Sequence, residues 1–123
     1  MTKRILIVDD EQTNISLIKA ALKDIDAEFI VGRDGGEGLA LAKSEKPDMI
    51  ILDVMMPKLS GFKVCGLLKS DRNFLNIPIA ILSSRAGDDD IEISQKVGAN
   101  IYMLKPIDQK KLNSEVKKLL KME

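Results

Sequence analysis

The sequence predicts a doubly wound α/β fold: a three-layer (βα)5 sandwich around a five-stranded parallel sheet in the order 2-1-3-4-5. Short, almost continuous apolar runs such as Ile5-Leu6-Ile7-Val8 and Met49-Ile50-Ile51-Leu52 suit strands buried on both faces, as parallel sheets require. These runs alternate with segments of helical apolar spacing, giving five strand-then-helix units along the chain. Right-handed crossovers leave few topologies for such units, and the common one places a switch point between the first and third strands. Residues 1–123 read as one domain, long enough to bury about two thirds of its unfolded surface.

The first strand, Ile5 to Val8, stops at the acidic cluster Asp9-Asp10-Glu11. Ile15, Ile18, Leu22 and Ile25 then follow at helical spacing behind an acidic entrance. Glu28 to Val31 is a second, weaker strand, and the four glycines between Gly32 and Gly38 mark a loop and a hesitant helix start. Leu39 and Ala42 carry that helix to Lys46, and Pro47 closes it ahead of the third strand, which ends at Asp53. Ser60 is a helix N-cap, with Phe62, Cys65 and Leu68 forming the apolar face as far as the polar break from Ser70 to Asn73. The fourth strand runs from Ile77 to Leu82 with Pro78 at its entrance, where a missing ladder N–H is tolerated. Asp88-Asp89-Asp90 opens a short helix with a thin face of Ile91, Ser94 and Val97, ending at Gly98. Ile101 to Leu104 is the fifth strand; Lys105-Pro106 breaks it, and Asp108 caps a last helix bearing Leu112, Val116, Leu119 and Leu120.

Composition narrows the chemistry. Hydrophobic residues at 45% and charged residues at 31% are ordinary for a soluble domain, and a formal charge of zero supplies no field to gather nucleic acid or an anionic membrane. With no histidine and one cysteine, a disulfide framework, the usual zinc ligand sets and Ser-His or Cys-His nucleophiles are excluded. Carboxylate, lysine and hydroxyl chemistry remains. Lys3-Arg4 precedes an apolar run too short for a signal-peptide core or a membrane span, so the expected location is the cytoplasm, without membrane insertion.

In open sheets of this kind ligands bind beyond the carboxyl ends of the strands. Four of the five strands deliver ionisable or hydroxyl side chains there: Asp9 and Asp10 from the first, Asp53 from the third, Ser83 from the fourth and Lys105 from the fifth. Carboxylates brought together repel by roughly 4 kcal/mol per pair at about 4 Å in an effective dielectric near 20, so a cation should stand among them. An all-oxygen donor set favours Mg²⁺ or Mn²⁺, and Mg²⁺ is the ion that keeps waters and awaits a phosphate oxygen. Lys105 adds a point charge and Ser83 a hydroxyl, a combination suited to a phosphoryl group with a carboxylate oxygen as in-line nucleophile.

These residues resemble the receiver domain of two-component response regulators, and the resemblance covers essentially the whole chain. It rests on Asp9-Asp10, on Leu52-Asp53-Val54-Met55-Met56-Pro57 with Gly61, on Leu82-Ser83, on Tyr102 with Lys105-Pro106, and on the spacings between them. It implies the flavodoxin-like sandwich and a phosphorylation-dependent signalling switch. Asp53 would accept a phosphoryl group from a histidine kinase or phosphotransfer protein. Mg²⁺, or Mn²⁺, would be held by Asp10, Asp53 and the backbone carbonyl of Met55, with Asp9 acting through water. Ser83 and Lys105 would hold the phosphoryl oxygens, and the Lys105-Pro106 bond would be cis. Tyr102 would be the switch aromatic, turning inward as Ser83 moves and remodelling the face of the fourth helix, fifth strand and fifth helix for a downstream partner or a fused output domain. The chain departs from the family pattern in carrying Ser83 where Thr is common, which loses a methyl and its rotamer restriction. Ser84 and Arg85 replace the usual alanine and its neighbour, and so bear on water access and phosphoryl lifetime.

Gly61-Phe62-Lys63-Val64-Cys65 and Lys105-Pro106-Ile107-Asp108 further resemble receivers that precede a nucleotide-cyclase output, and both a free-standing switch and the receiver part of a longer regulator stay open. Among other functions, a phosphatase of the haloacid dehalogenase type needs a second acid two residues after its nucleophile, where this chain has Met55. A flavodoxin-like electron carrier lacks a phosphate loop after the first strand, and tryptophan for stacking on a flavin. A receiver that signals without phosphate has no need of the full acidic, hydroxyl and lysine set. On these terms the chain is no enzyme beyond its own phosphotransfer and dephosphorylation. Cys65 reads as a core thiol, the Asp88 to Asp90 run as a complement to the helix dipole, and Lys110, Lys117 and Lys121 as a solvated helix face.

Overall fold

Strands that bury side chains on both faces need cover on both, and the chain supplies it by alternation. The computed structural model describes residues 2–56, 59–84 and 87–122. In order they form β1 (Lys3–Val8), α1 (Gln12–Ala21), β2 (Ala27–Gly32), α2 (Gly35–Glu45), β3 (Met49–Asp53), α3 (Gly61–Lys69), β4 (Ile79–Ser83), α4 (Asp88–Lys96), β5 (Ile101–Leu104) and α5 (Gln109–Leu119). The strands are parallel in the order β2-β1-β3-β4-β5, as the sequence predicts. All residues of β3 and β4 are buried. Their two-residue alternation feeds two cores. Ile5, Ile7, Met49, Ile51, Ala80 and Leu82 pack with Ile15 and Ile18 of α1 and Leu112 and Val116 of α5. Leu6, Val8, Ile50, Leu52, Ile79 and Ile81 pack with Ala42 of α2 and Val64, Cys65 and Leu68 of α3.

Several elements differ locally from their sequence expectation. α1 ends at Ala21, so Leu22 is its C-cap and Ile25 is buried in the following turn rather than on the helix. No acidic side chain stands in its first turn; Asp9 instead accepts the backbone N–H of Glu11 at 2.9 Å. α2 begins inside the glycine segment, at Gly35, because Asp34 accepts the Glu37 N–H (2.8 Å) while Glu37 accepts the Arg33 N–H (2.9 Å). The glycine at 35 answers to packing, since a Cβ there would lie 1.9 Å from the Leu59 carbonyl oxygen. The same helix closes on Lys46 in the left-handed region (φ 45°), one residue before Pro47. β4 starts at Ile79, not Ile77, and the Ile77 carbonyl accepts the Lys69 ammonium at 2.7 Å.

Two further expectations are corrected. Of the thin face expected on α4, Ser94 is buried and Val97 packs partly buried against the second core, but Ile91 is 40% exposed and the other inward residue is Asp90. The three aspartates do stand in the first turn of α4, as the dipole reading requires. On α5, Lys110 and Lys121 are exposed, but Lys117 binds Asp24 at 2.7 Å, alongside Asn113 at 2.6 Å, tying α5 to the turn after α1. Both contacts hold the Asp24 carboxyl below the usual carboxylate range. Among the described residues no helix is long and apolar enough to cross a membrane. Pro57 and Arg85 lie outside the described residues.

Cys65 is the core thiol expected: fully buried, its Sγ–H directed at the Val97 carbonyl at 3.5 Å. Burial pushes its pKa from 9.0 up to about 11. Between those values an unfolded chain sheds a proton that the native thiol keeps, so stability falls as pH rises through that window. The urea midpoint of the parent should therefore drop more steeply from pH 9 to pH 11 than that of Cys65→Ala. Equal slopes would show that the thiol is not the group responsible. Iodoacetamide at neutral pH should label the chain only in denaturant.

Candidate functional site

Register alone brings the ionisable side chains together. Val8 of β1 pairs with Leu52 of β3, so Asp9 and Asp53 leave adjacent strands side by side. Asp53 pairs with Leu82 of β4, and Ser83 with Leu104 of β5, which sets Ser83 and Lys105 along the same edge. Beyond these pairs the ladder continues through Asp9 N–H to the Gly32 carbonyl (3.0 Å) and Lys105 N–H to the Ser83 carbonyl (2.8 Å).

Asp9 is 1% and Asp53 5% exposed, while Asp10 faces solvent; one carboxylate oxygen from each lies within 4.8 Å of the others. Among them sits the Lys105 ammonium, 2.9 Å from Asp53 Oδ1 and 3.4 Å from Asp9 Oδ2. Burial, reinforced by the charges of Asp9 and Asp10, outweighs that bond and holds the Asp53 carboxyl above its ordinary range. For Lys105 the balance goes the other way. Burial alone would lower its pKa, but the bond to Asp53 and the charges of Asp9 and Asp53 raise it above the usual value. The ammonium is therefore held firmly charged, while Asp53 gains less from the contact than it loses to its surroundings.

α3 presses its N-terminus against this edge. Ser60 caps it by accepting the Lys63 N–H, and Gly61 donates to the Val54 carbonyl at 3.0 Å. A Cβ on Gly61 would fall 2.1 Å from the Asp53 carbonyl oxygen, so only glycine lets the helix approach the acidic strand end this closely. The structure thus gathers Asp9, Asp10, Asp53 and Lys105 directly and places Ser83, fully buried, at the neighbouring strand end. Met55 follows β3 with its side chain 59% exposed, and the Lys105-Pro106 bond is cis. Tyr102 does not stand alone on the edge strand: its ring stacks on Phe62 of α3, centroids 6.4 Å apart and planes 10° from parallel. The sequence assigns Phe62 only to a helix face. The signal available was an aromatic two residues after the helix cap Ser60 that follows the acidic strand.

Three carboxylates around a lysine, two of them buried, at the carboxyl edge of a parallel sheet, form a cluster that could hold a metal ion. The family pattern of the response regulator receiver domain matches residues 5–117. The chain belongs to this family. Receivers of this kind are the phosphorylation-dependent signalling switches of two-component systems. The chain is 39% identical over 121 residues to the alkaline phosphatase synthesis transcriptional regulatory protein PhoP of Bacillus subtilis, covering 98% of this chain and 50% of PhoP. It is 34% identical to Protein PilH of Pseudomonas aeruginosa, covering 95% of this chain and 97% of PilH. Among solved structures, the Mn²⁺-bound form of response regulator Rcp1 superposes with a TM-score of 0.81 at 30% identity, covering 95% of this receiver and 91% of Rcp1. The chain thus spans about half the length of PhoP and nearly all of PilH.

Because Asp53 is held above its ordinary pKa, it costs the metal-free receiver stability at neutral pH. Metal-free Asp53→Ala should melt higher than the parent, by about 4 °C for each kcal/mol regained in a domain near this size. The gap should narrow as pH falls, since native Asp53 takes up its proton at a higher pH than the unfolded chain does. A lower melting temperature for the variant at neutral pH would mean that Lys105 more than compensates the cluster.

Proposed function

We propose that Asp53 is the phosphoacceptor of this receiver, taking the group from a phosphohistidine on a sensor histidine kinase or a phosphotransfer protein. The observation that carries this is the shared ammonium. Lys105 is bonded at once to Asp53 and to Asp9, so it already occupies the position from which a cation would meet new negative charge on Asp53. An Asp53 carboxylate oxygen bonds to phosphorus as the phosphorus–nitrogen bond breaks, and the departing imidazole nitrogen keeps the electron pair and takes up a proton. Lys105 then moves from the carboxylate to a phosphoryl oxygen, and the Ser83 hydroxyl donates to another.

The donor set fits a hard divalent ion. Asp10, Asp53 and the Met55 carbonyl would ligate Mg²⁺, with Asp9 reaching it through water and Mn²⁺ as the alternative; the Mn²⁺-bound relative supports this choice. When bound, the ion supplies charge neutralisation at the phosphoryl oxygens. Tyr102 follows Ser83 and alters the face formed by α4, β5 and α5, where Ile91 is 40% and Leu104 48% exposed, apolar surface suited to a downstream protein or a fused output domain. Residues 1–123 act as one cytoplasmic receiver domain that catalyses only its own phosphotransfer and dephosphorylation. A phosphatase acting on outside substrates finds no support, since the position two residues past Asp53 is Met55.

Acetyl phosphate with Mg²⁺ should add one phosphoryl mass to the parent and none to Asp53→Asn, read by intact mass spectrometry. An unmodified parent, or a modified variant, would overturn the assignment of Asp53. Mg²⁺ alone should raise the parent's melting temperature, since a ligand at a hundredfold excess over Kd stabilises by about 2.7 kcal/mol. Asp10→Ala should lose most of that rise if Asp10 is a ligand.

A further inference from the structure

We infer that Phe62 is a positioning residue for Tyr102, its ring forming the seat that fixes where the tyrosine rests before phosphorylation. The inference rests on the assignment of Tyr102 as the switch aromatic, and the geometry carries it further. Tyr102 belongs to β5 and Phe62 to the first turn of α3, so the stack joins the strand next to Ser83 with the helix that abuts Asp53. Separation and tilt are those of a stacked pair, 6.4 Å and 10°, so sliding or turning of one ring is felt by the other.

The anchor at the far end is rigid. Gly61, one residue before Phe62, donates to the Val54 carbonyl, and a Cβ there would overlap the Asp53 carbonyl oxygen. Phe62 therefore cannot shift along α3 without disturbing the backbone of the phosphoacceptor itself. This makes a short continuous path: Asp53 backbone, Gly61, Phe62, Tyr102. It is distinct from the route through the Ser83 hydroxyl, because it runs through α3 and not through the connection between β4 and α4.

Phe62 also has room on one side. It lines a cavity of about 750 Å³ between α3 and the end of α4, together with Leu67, Val97 and Gly98. Truncating its ring enlarges a space that already exists rather than opening a sealed core, so the variant should fold. Tyr102 would lose its seat while Asp9, Asp10, Asp53, Ser83 and Lys105 keep their places.

The test uses the composition of the chain, which has one tyrosine and no tryptophan. Biosynthetic 3-fluorotyrosine then gives a single ¹⁹F resonance, that of Tyr102, measured with and without acetyl phosphate and Mg²⁺. In the parent the resonance should move on phosphorylation. In Phe62→Ala, with far-UV circular dichroism unchanged and one phosphoryl still added by mass, the unphosphorylated resonance should be displaced and the phosphorylation-induced shift reduced at least twofold. Phe62→Leu, which keeps bulk without a ring, should lie between. A parent-like resonance and response in Phe62→Ala would overturn the inference, as would a full parental response in Phe62→Leu if the alanine variant does not fold. Should the parent take up no phosphoryl, the phosphoacceptor assignment fails on its own. The seat is then judged by the phosphodonor-free spectra, where an undisplaced resonance in Phe62→Ala refutes it.

Discussion

Two carboxylates buried side by side cannot persist without a cation, and the site follows from how this chain meets that requirement. Asp9 and Asp53 leave adjacent strands in register, one nearly and one wholly out of solvent, and Lys105 reaches both from the far side of β4. A buried ion pair is weak evidence for stability because desolvation offsets its attraction, and here the offset is visible in Asp53, whose carboxyl remains above its ordinary range despite the bond. What Lys105 contributes is compatibility. It permits an acidic edge that would otherwise destabilise the sheet, and it leaves that edge poised to exchange one cation for another.

The scaffold around the edge is correspondingly unyielding. β1, β3 and β4 are clamped between two apolar cores, and the N-terminus of α3 approaches the Asp53 backbone closely enough to require Gly61. Asp9 is further fixed by accepting the Glu11 N–H. A carboxylate so placed can change partners but not position. On the proposed phosphoacceptor role, charge added at Asp53 would therefore be met by moving the groups that surround it.

Much of this was legible in the sequence. Apolar runs stopping dead at an acid placed Asp9 and Asp53, and runs ending in Ser83 and Lys105 brought those side chains to the same edge, because strand periodicity and the parallel topology together fix which side chains share an edge. What was missed has physical causes. Glycine propensity argued for a loop before α2, yet close approach to Leu59 and to Val8 demanded glycine at Gly35 and Gly38 inside the helix. In a helix as short as α4, three spaced residues placed Ser94 and Val97 inward but misplaced Ile91, in whose stead tertiary packing buried Asp90. The sequence set Lys105 at the site edge but did not mark it as the tie between Asp9 and Asp53, and the pairing of Phe62 with Tyr102 joins elements far apart in sequence with no local mark of their meeting.

α4, whose Ile91 alone defied expectation, is also held by less buried apolar surface than α1, α3 or α5. Its buried positions are an aspartate and a serine, and both of its isoleucines are about two-fifths exposed, Ile91 at 40% and Ile93 at 39%. The helices α1, α3 and α5, by contrast, anchor themselves with large aliphatic side chains that are fully or almost fully buried. Moving α4 thus sacrifices little apolar burial, whereas moving any of the others would expose core residues at roughly 25 cal/mol per Å². Allosteric coupling is typically worth only about 1–3 kcal/mol, so a switch must act on an element held by no more than that. On the proposed roles of Asp53, Lys105 and Ser83, a phosphoryl group would act at the ends of β4 and β5, the strands nearest α4, and would meet least resistance there. On that proposal the polar underside of α4 serves the switch, since an apolar one would hold the helix more firmly in a single position.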